Sequence, residues 1–334
     1  MSDSLPRSAY HLPPVAQDWR QSDWPEVSVS VVTYNQRHLI GRALDSILVQ
    51  RVNFSYEIVV GDDGSTDGTL DVLQEYAERS SRPIRILRHD HLPGIPGRLN
   101  NMNNPMACRG KYTAYLDGDD YWIDPCKLQR QYDMMEAHPE LSMCLHDTRG
   151  LEVDSEGVVR NGPHLRSDRS GYSRKTGFYN HEHFCLDRNI GVHTSSYFFR
   201  TRIFGDWPEG YENVVAADHY LFLLISQRGP IHYDSGIRSV NERQPASLTN
   251  SCHYNGIHRI LQHFRDMDMY RRRFPATRIT SSYSAYSARM AKDLLIYAVK
   301  HRKFQLLPKL CIRLVLELRG VGAMMNHRLR KSWH

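Results

Sequence analysis

The chain has 334 residues, 40% hydrophobic and 24% charged, which is enough apolar material for a large core and excludes a disordered chain. Lys and Arg number 43 against 37 Asp and Glu, a formal net of +6. Residues 301–334 alone hold eight basic residues and one acid, so residues 1–300 sum to −1 and the body is not a basic nucleic-acid-binding surface.

No run of about 18 uncharged apolar residues occurs, so no membrane-spanning helix is expected. Residues 1–25 lack a continuous apolar stretch and carry Pro6, Pro13 and Pro14, which reads as a surface arm and not a secretory signal. Val27–Thr33 is β-branched and reads as a strand. Over residues 38–50, Leu39, Ile40, Ala43, Leu44, Ile47 and Leu48 share one helical face. Residues 56–60 form a second strand, and the turn Gly61–Gly68 follows, with Asp67 placed to cap a helix running to Arg79. Residues 84–88 are a third strand, 99–108 a helix ended by Gly110, and 112–116 a fourth strand running into Asp117-Gly118-Asp119-Asp120. This alternation predicts a mostly parallel α/β sheet flanked by helices, with ligands at the carboxyl ends of its strands. Farther on, 141–146 and 195–200 read as strands and 218–228 as a helix. The six cysteines form no CxxC pair, so free thiols in a reducing cytosol are expected.

Three carboxylates within four residues repel one another unless a cation sits among them, and hard oxygen ligands suit Mg²⁺ or Mn²⁺. The plain alternative is a solvated acidic turn. The stretch beginning at Asp62 has Leu73 where a calcium loop needs its twelfth-position carboxylate. No GxGxxG follows the first strand, and no P-loop or GxSxG elbow is present. The pairs His89/His91 and His181/His183 lack a third ligand at zinc spacing and read as surface or structural.

Taken together, residues 27–50, 56–69, 110–131 and, more weakly, 193–250 resemble an inverting family 2 glycosyltransferase of the GT-A fold. The resemblance implies a domain over 26–252, with a nucleotide-binding part at 26–125 and an acceptor part at 126–252. Thr33, Tyr34, Asn35, Asp63, Gly64, Asp117 and Gly118 would then bind the nucleotide sugar, with Asp63 accepting from uracil N3–H. Asp119 would be the direct Mg²⁺ or Mn²⁺ ligand, aided by Asp117 and Asp120. Asp218 would be the base or only a helix cap, and the Glu that often precedes it is Ala217. Arg243 would meet the diphosphate or be an ordinary surface arginine; the family's Tyr and His near it are missing. Trp122 would wall the sugar site or pack in the core, with His146 and His193 on the acceptor side. The Arg98–Asn104 stretch departs from the family pattern. The implied reaction moves a sugar from a nucleotide donor, UDP-linked, to a glycan or lipid-linked acceptor, as in bacterial polysaccharide synthesis. The rivals are a non-catalytic nucleotide-sugar-binding or scaffold protein and a nucleotidyltransferase.

Residues 253–334 read as a basic helical extension. Leu307, Leu310, Cys311, Leu314, Val315 and Leu318 fall on one helical face, with Lys309, Arg313 and Glu317 on the other. Such a helix packs on the protein or meets an anionic membrane at the inner face of the plasma membrane. The expected setting is cytoplasmic, without nucleic acid, and the sequence is silent on oligomeric state.

Overall fold

The computed structural model describes residues 24–91, 97–154, 156, 158–161, 175–181, 192–201, 203, 214, 217–244 and separate positions between 291 and 315. The Val27–Thr33 run is strand β1, buried on both faces because it lies between two parallel partners. Those partners are β2 (Tyr56–Asp62) and β4 (Tyr112–Asp117), and β3 (Ile84–Arg88) extends the sheet beyond β2. Helices α1 (Ile40–Leu48), α2 (Thr69–Arg79) and α3 (Arg98–Ala107) connect them. Beyond β4 come β5 (Tyr121–Trp122), α4 (Lys127–Ala137), β6 (Met143–Val153), β7 (Val159–Asn161), β8 (Gly177–Tyr179), β9 (Phe198–Arg200), α5 (Ala217–Ser226) and β10 (Ile231–Arg243).

The ten-stranded sheet runs β3-β2-β1-β4-β9-β6-β10-β5, with β7 on β6 and β8 on β10. The first four strands are parallel; β9 pairs antiparallel with both β4 and β6, and β6 with β10 is parallel again. The sheet is therefore mostly parallel with antiparallel insertions, as expected. Its main core joins β1, β2 and β4 to α1, α2 and α4 through residues such as Val29, Leu44, Ile58, Leu73, Leu116 and Leu128. Burial at this density is the chief favourable term holding the layers together.

Helix α3 docks by polar contacts. Asn100 Nδ2 donates to the carbonyls of Gly61 (2.8 Å) and Thr33 (3.2 Å). One turn later, Asn104 Nδ2 donates to Val31 (2.6 Å) and Val59 (3.2 Å). Gly61 makes this approach possible, since a Cβ there would stand 2.5 Å from Asn104 Oδ1. Pro105 lies inside the helix and removes the N–H that Asn101 would have received; the Tyr115 hydroxyl reaches that Asn101 carbonyl instead, at 3.5 Å. The departure of Arg98–Asn104 from the family pattern thus serves the sheet.

Three elements differ from the sequence reading. The residue before α2 is Gly68 in a left-handed conformation, and Asp67 acts from one position earlier, its Oδ1 accepting from the Thr69 N–H at 3.0 Å. Residues 195–200 are not one strand: Thr194–Ser196 is a 3₁₀ turn, because the His193 side chain accepts the Ser195 N–H and winds the chain there. Strand β6 runs to Val153 because β7 and β10 pair with its far half. Cys108, Cys126, Cys144 and Cys311 are free thiols.

The chain divides into two compact units, the second comprising residues 182–190, 213–216 and 246–334. Its described helical positions bury Ala291, Ala298 and Leu310, with Leu295, Leu307 and Leu314 packed against them. Ile296, Val299, Phe304, Ile312 and Val315 are exposed. Residues 1–23 of the arm and residues 316–334 lie outside the described residues. No helix among the described residues is long and apolar enough to cross a membrane.

Candidate active site

The carboxyl ends of β1, β2 and β4 carry the residues singled out above. Thr33 ends β1, and its hydroxyl donates to Gln36 Oε1 at 2.8 Å. Asn35 takes a positive φ of 50, which asparagine tolerates, and its Oδ1 accepts the Thr66 N–H at 2.9 Å. This locks the β1 and β2 turns together. Asp63 is 1% exposed. Its Oδ2 accepts from His91 Nδ1 at 2.8 Å and from the Gly97 N–H at 3.0 Å. The Tyr34 ring stacks on His91. Gly118 sits where a side chain would strike Gln36 and Thr33, so the acidic turn presses closely on the end of β1.

Asp117 closes β4 and receives the Thr194 hydroxyl. Asp120 is 1% exposed and takes the Asn241 amide on Oδ1 at 2.9 Å. Its buried Oδ2 has no hydrogen-bond donor, yet lies 3.1 Å from His193 Nδ1. That nitrogen already accepts the Ser195 N–H. Two electron-rich atoms therefore face each other, an arrangement that a proton or a cation resolves. Ligand atoms of Asp117, Asp120 and His193 all lie within 4.8 Å of one another, the one such cluster among the described residues. Two carboxylates and an imidazole suit Mn²⁺, while Mg²⁺ favours oxygen alone.

The electrostatics agree. Burial pushes the Asp117 carboxyl up to about 7, with the charges of Asp119 and Asp218 adding and the Thr194 hydrogen bond opposing. Burial, then the charges of Asp119 and Asp117, hold Asp120 well above the usual carboxylate range. Asp119 is raised by burial, opposed by a hydrogen bond from Gln36 and by the Arg42 charge. The site thus concentrates negative charge out of water, at a cost that a divalent cation would remove.

The structure brings together Asp117, Asp119, Asp120 and, through its charge on Asp117, Asp218 in the first turn of α5. Asp119, expected as the direct metal ligand, is not in the three-residue cluster; His193, expected on the acceptor side, is. Trp122, weighed as a sugar-site wall or core, is 4% exposed and belongs to the core. Its indole N–H donates to the Ser195 carbonyl at 3.0 Å and so secures the turn bearing Thr194. His146 is 2% exposed and its Nδ1 donates to the Asp147 carbonyl. Arg243 lies 3.8 Å from Glu152 on the neighbouring strand, and Asn241, two residues earlier on the same face of β10, reaches Asp120 instead. Thr194, which the sequence places with His193 on the acceptor side, instead donates to Asp117, and Asn241 was missed because it stands in no recognisable motif; the period-two face of β10 was the available signal.

A mixed α/β sheet with an acidic turn closing its fourth strand is the GT-A arrangement. The description "Glycosyl transferase family 2" fits residues 28–201, just over half the chain, and the protein belongs to that family. An uncharacterized protein of Mycobacterium tuberculosis is 38% identical over 129 residues, 38% of this chain and 36% of that protein. The match therefore spans about a third of that relative's length. S. aureus TarS 1-349, solved in complex with UDP-GlcNAc, is 16% identical with a TM-score of 0.53 over 90% of this chain and 92% of that one. Mannosyltransferase PcManGT from Pyrobaculum calidifontis, solved in complex with GDP-Man and Mn²⁺, is 17% identical with a TM-score of 0.56 over 98% of this chain and 86% of that one. At these identities the likeness is one of fold.

Proposed function

We propose that the protein transfers a sugar, with inversion, from a nucleotide donor to a hydroxyl of a glycan or lipid-linked acceptor, and that the donor is UDP-linked. The observation that carries this reading is the convergence of Asp117, Asp119, Asp120 and Asp218 at the carboxyl end of β4, with raised carboxyl pKa values in the acidic turn. Asp117, Asp120 and His193 would hold Mn²⁺ or Mg²⁺, with Asp119 beside them. A cation bound there neutralises the charge that builds on the departing diphosphate.

Residues 26–125 bind the donor in this reading. Tyr34 offers a ring to the base and Asp63 a carboxylate to its imino N–H. Thr33, Asn35 and Gly64 shape the turn, and Gly118 leaves room between β1 and β4. Asp218 takes the proton of the acceptor hydroxyl as its oxygen bonds to the anomeric carbon, and the anomeric C–O bond breaks with its electron pair going to the diphosphate. The acceptor is assigned to residues 126–252. The basic tail and the exposed Ile296, Val299, Phe304, Ile312 and Val315 support work beside an anionic leaflet at the cytoplasmic face, where lipid-linked acceptors are met.

The test is incubation with UDP- and GDP-sugars and Mn²⁺ in the presence of lipid-linked and soluble glycan acceptors, following nucleoside diphosphate release. Asp119→Ala and Asp120→Ala should each weaken metal-dependent donor binding and stop turnover. Donor binding without release would leave a non-catalytic nucleotide-sugar-binding protein. Pyrophosphate release would make the reaction nucleotidyl transfer.

A further inference from the structure

Recognition of a pyrimidine or purine base at the β1–β2 end needs two contacts: a ring face for stacking and a carboxylate for an in-plane N–H. Both are already engaged by this chain. The Tyr34 and His91 rings lie 4.3 Å apart at 8°, a parallel stack. His91 Nδ1 stands 2.8 Å from Asp63 Oδ2, and opposite a carboxylate that nitrogen must donate. The imidazole is planar, aromatic and carries an N–H, so it satisfies the two demands a base would satisfy.

Its position is built in by the backbone. The His89 N–H donates to the Asp62 carbonyl at 2.8 Å. Gly64 has φ +76, and a Cβ there would lie 3.0 Å from the His89 carbonyl and from the His91 nitrogen. Residues 89–91 therefore press directly on the Asp62–Gly64 turn, and Gly64 is what permits it. Asp63 Oδ2 also accepts the Gly97 N–H, so a base N–H that takes the place of His91 on this oxygen must displace it.

We propose that His91 is an internal occupant of the nucleobase position, and that donor binding displaces its ring from Tyr34 and Asp63. The proposal rests on the assignment of Tyr34 and Asp63 to the base. Its consequence is a filter. When a site is open only part of the time, apparent affinity falls by that fraction. A base that replaces both lost contacts, such as uracil through N3–H or guanine through N1–H, recovers what His91 gives up. A base with no ring N–H to offer recovers the stack alone.

The experiment is calorimetric titration of the full chain with UDP, GDP and inorganic pyrophosphate, each with Mn²⁺. Wild type is compared with His91→Ala, His91→Phe and Tyr34→Ala. His91→Ala should bind the preferred nucleotide about three- to tenfold more tightly, the scale of one modest stack and hydrogen bond removed from competition, and pyrophosphate without change. His91→Phe keeps the stack and loses the N–H, so its affinity should fall between the two. A gain of affinity cannot come from a variant that fails to fold. Unchanged or weaker nucleotide binding in His91→Ala, with Tyr34→Ala still weakening it, overturns the proposal and leaves the base site standing. If Tyr34→Ala binds both nucleotides as wild type does, the base-site assignment itself falls and the proposal with it.

Discussion

Asp120 and His193 illustrate how much a single atom can decide. Asp120 Oδ2 is buried, has no donor, and faces an imidazole nitrogen whose lone pair a cation would take over from the Ser195 N–H. Leaving a carboxylate oxygen in that state costs free energy that a cation returns. His193→Ala should therefore weaken Mn²⁺ binding at least about tenfold while changing Mg²⁺ binding less, measured by calorimetry in the absence of any sugar nucleotide. Equal losses for the two ions would remove His193 from the ligand set. Asp218 makes a different prediction. Asp218→Asn keeps the shape of the side chain and abolishes its basicity, so kcat should drop about 10²- to 10⁴-fold with donor affinity near wild type. A variant with full turnover would return Asp218 to the capping role.

Among elements, α3 is the one whose sequence looks least like a helix and whose placement is most constrained. It carries four asparagines and a proline, yet two of its buried amides, Asn100 and Asn104, bind four sheet carbonyls. Gly61→Ala should destabilise the fold by about 1–3 kcal/mol, because the added methyl meets the Asn100 and Asn104 amides and forces the helix outward. Chemical denaturation measures this, and an unchanged midpoint would mean that α3 can move freely. The parallel half of the sheet was legible in the sequence because Val27–Thr33, Tyr56–Asp62 and Tyr112–Asp117 are short runs rich in β-branched and aromatic residues, the last two ending in an acid. Strand β10 was not, although it is thirteen residues long. Its register shifts twice between Asp234 and Ser239, and the Asp-Ser-Gly there reads locally as a turn. The acidic turn was legible from its clustered carboxylates, and Asp218 only through the family resemblance. His193 and Asn241 were not placed beside Asp120, since contacts 73 and 121 residues apart leave no local pattern.

At the scale of the molecule, buried histidines make stability depend on pH. Burial holds His146 well below the usual imidazole range, and the Nδ1 of His181, which is lowered to about 4, sits 2.5 Å from the Ser226 hydroxyl. Both are depressed in the folded state, so the unfolded chain binds more protons below its ordinary value near 6.5. The stability these two histidines contribute is then fully present above about pH 6.5 and is lost as pH falls toward 4, while the raised carboxyls of Asp117, Asp119 and Asp120 act in the opposite sense. The urea midpoint of wild type minus that of His181→Gln, taken at pH 7.5, 6.0 and 5.0, should shrink as pH falls, and a difference that does not change with pH would remove His181 from this account. The tail makes a separate claim. Flotation with vesicles rich in anionic lipid should fall when residues 301–334 are deleted, and fall again at high salt for the full chain. Flotation independent of both would sink the membrane reading.

Thr194 and Asp117 are joined by a hydrogen bond across 77 residues, one at the end of a parallel strand and the other just before the antiparallel β9. A cation gripped by Asp117, Asp120 and His193 would fasten the two halves of the sheet at their junction, a clasp closing a long loop. Metal would then be part of the protein's mechanical continuity as well as its chemistry. Chelation should be felt as faster amide exchange along Phe198–Arg200, in a strand that touches no substrate in the proposed reaction.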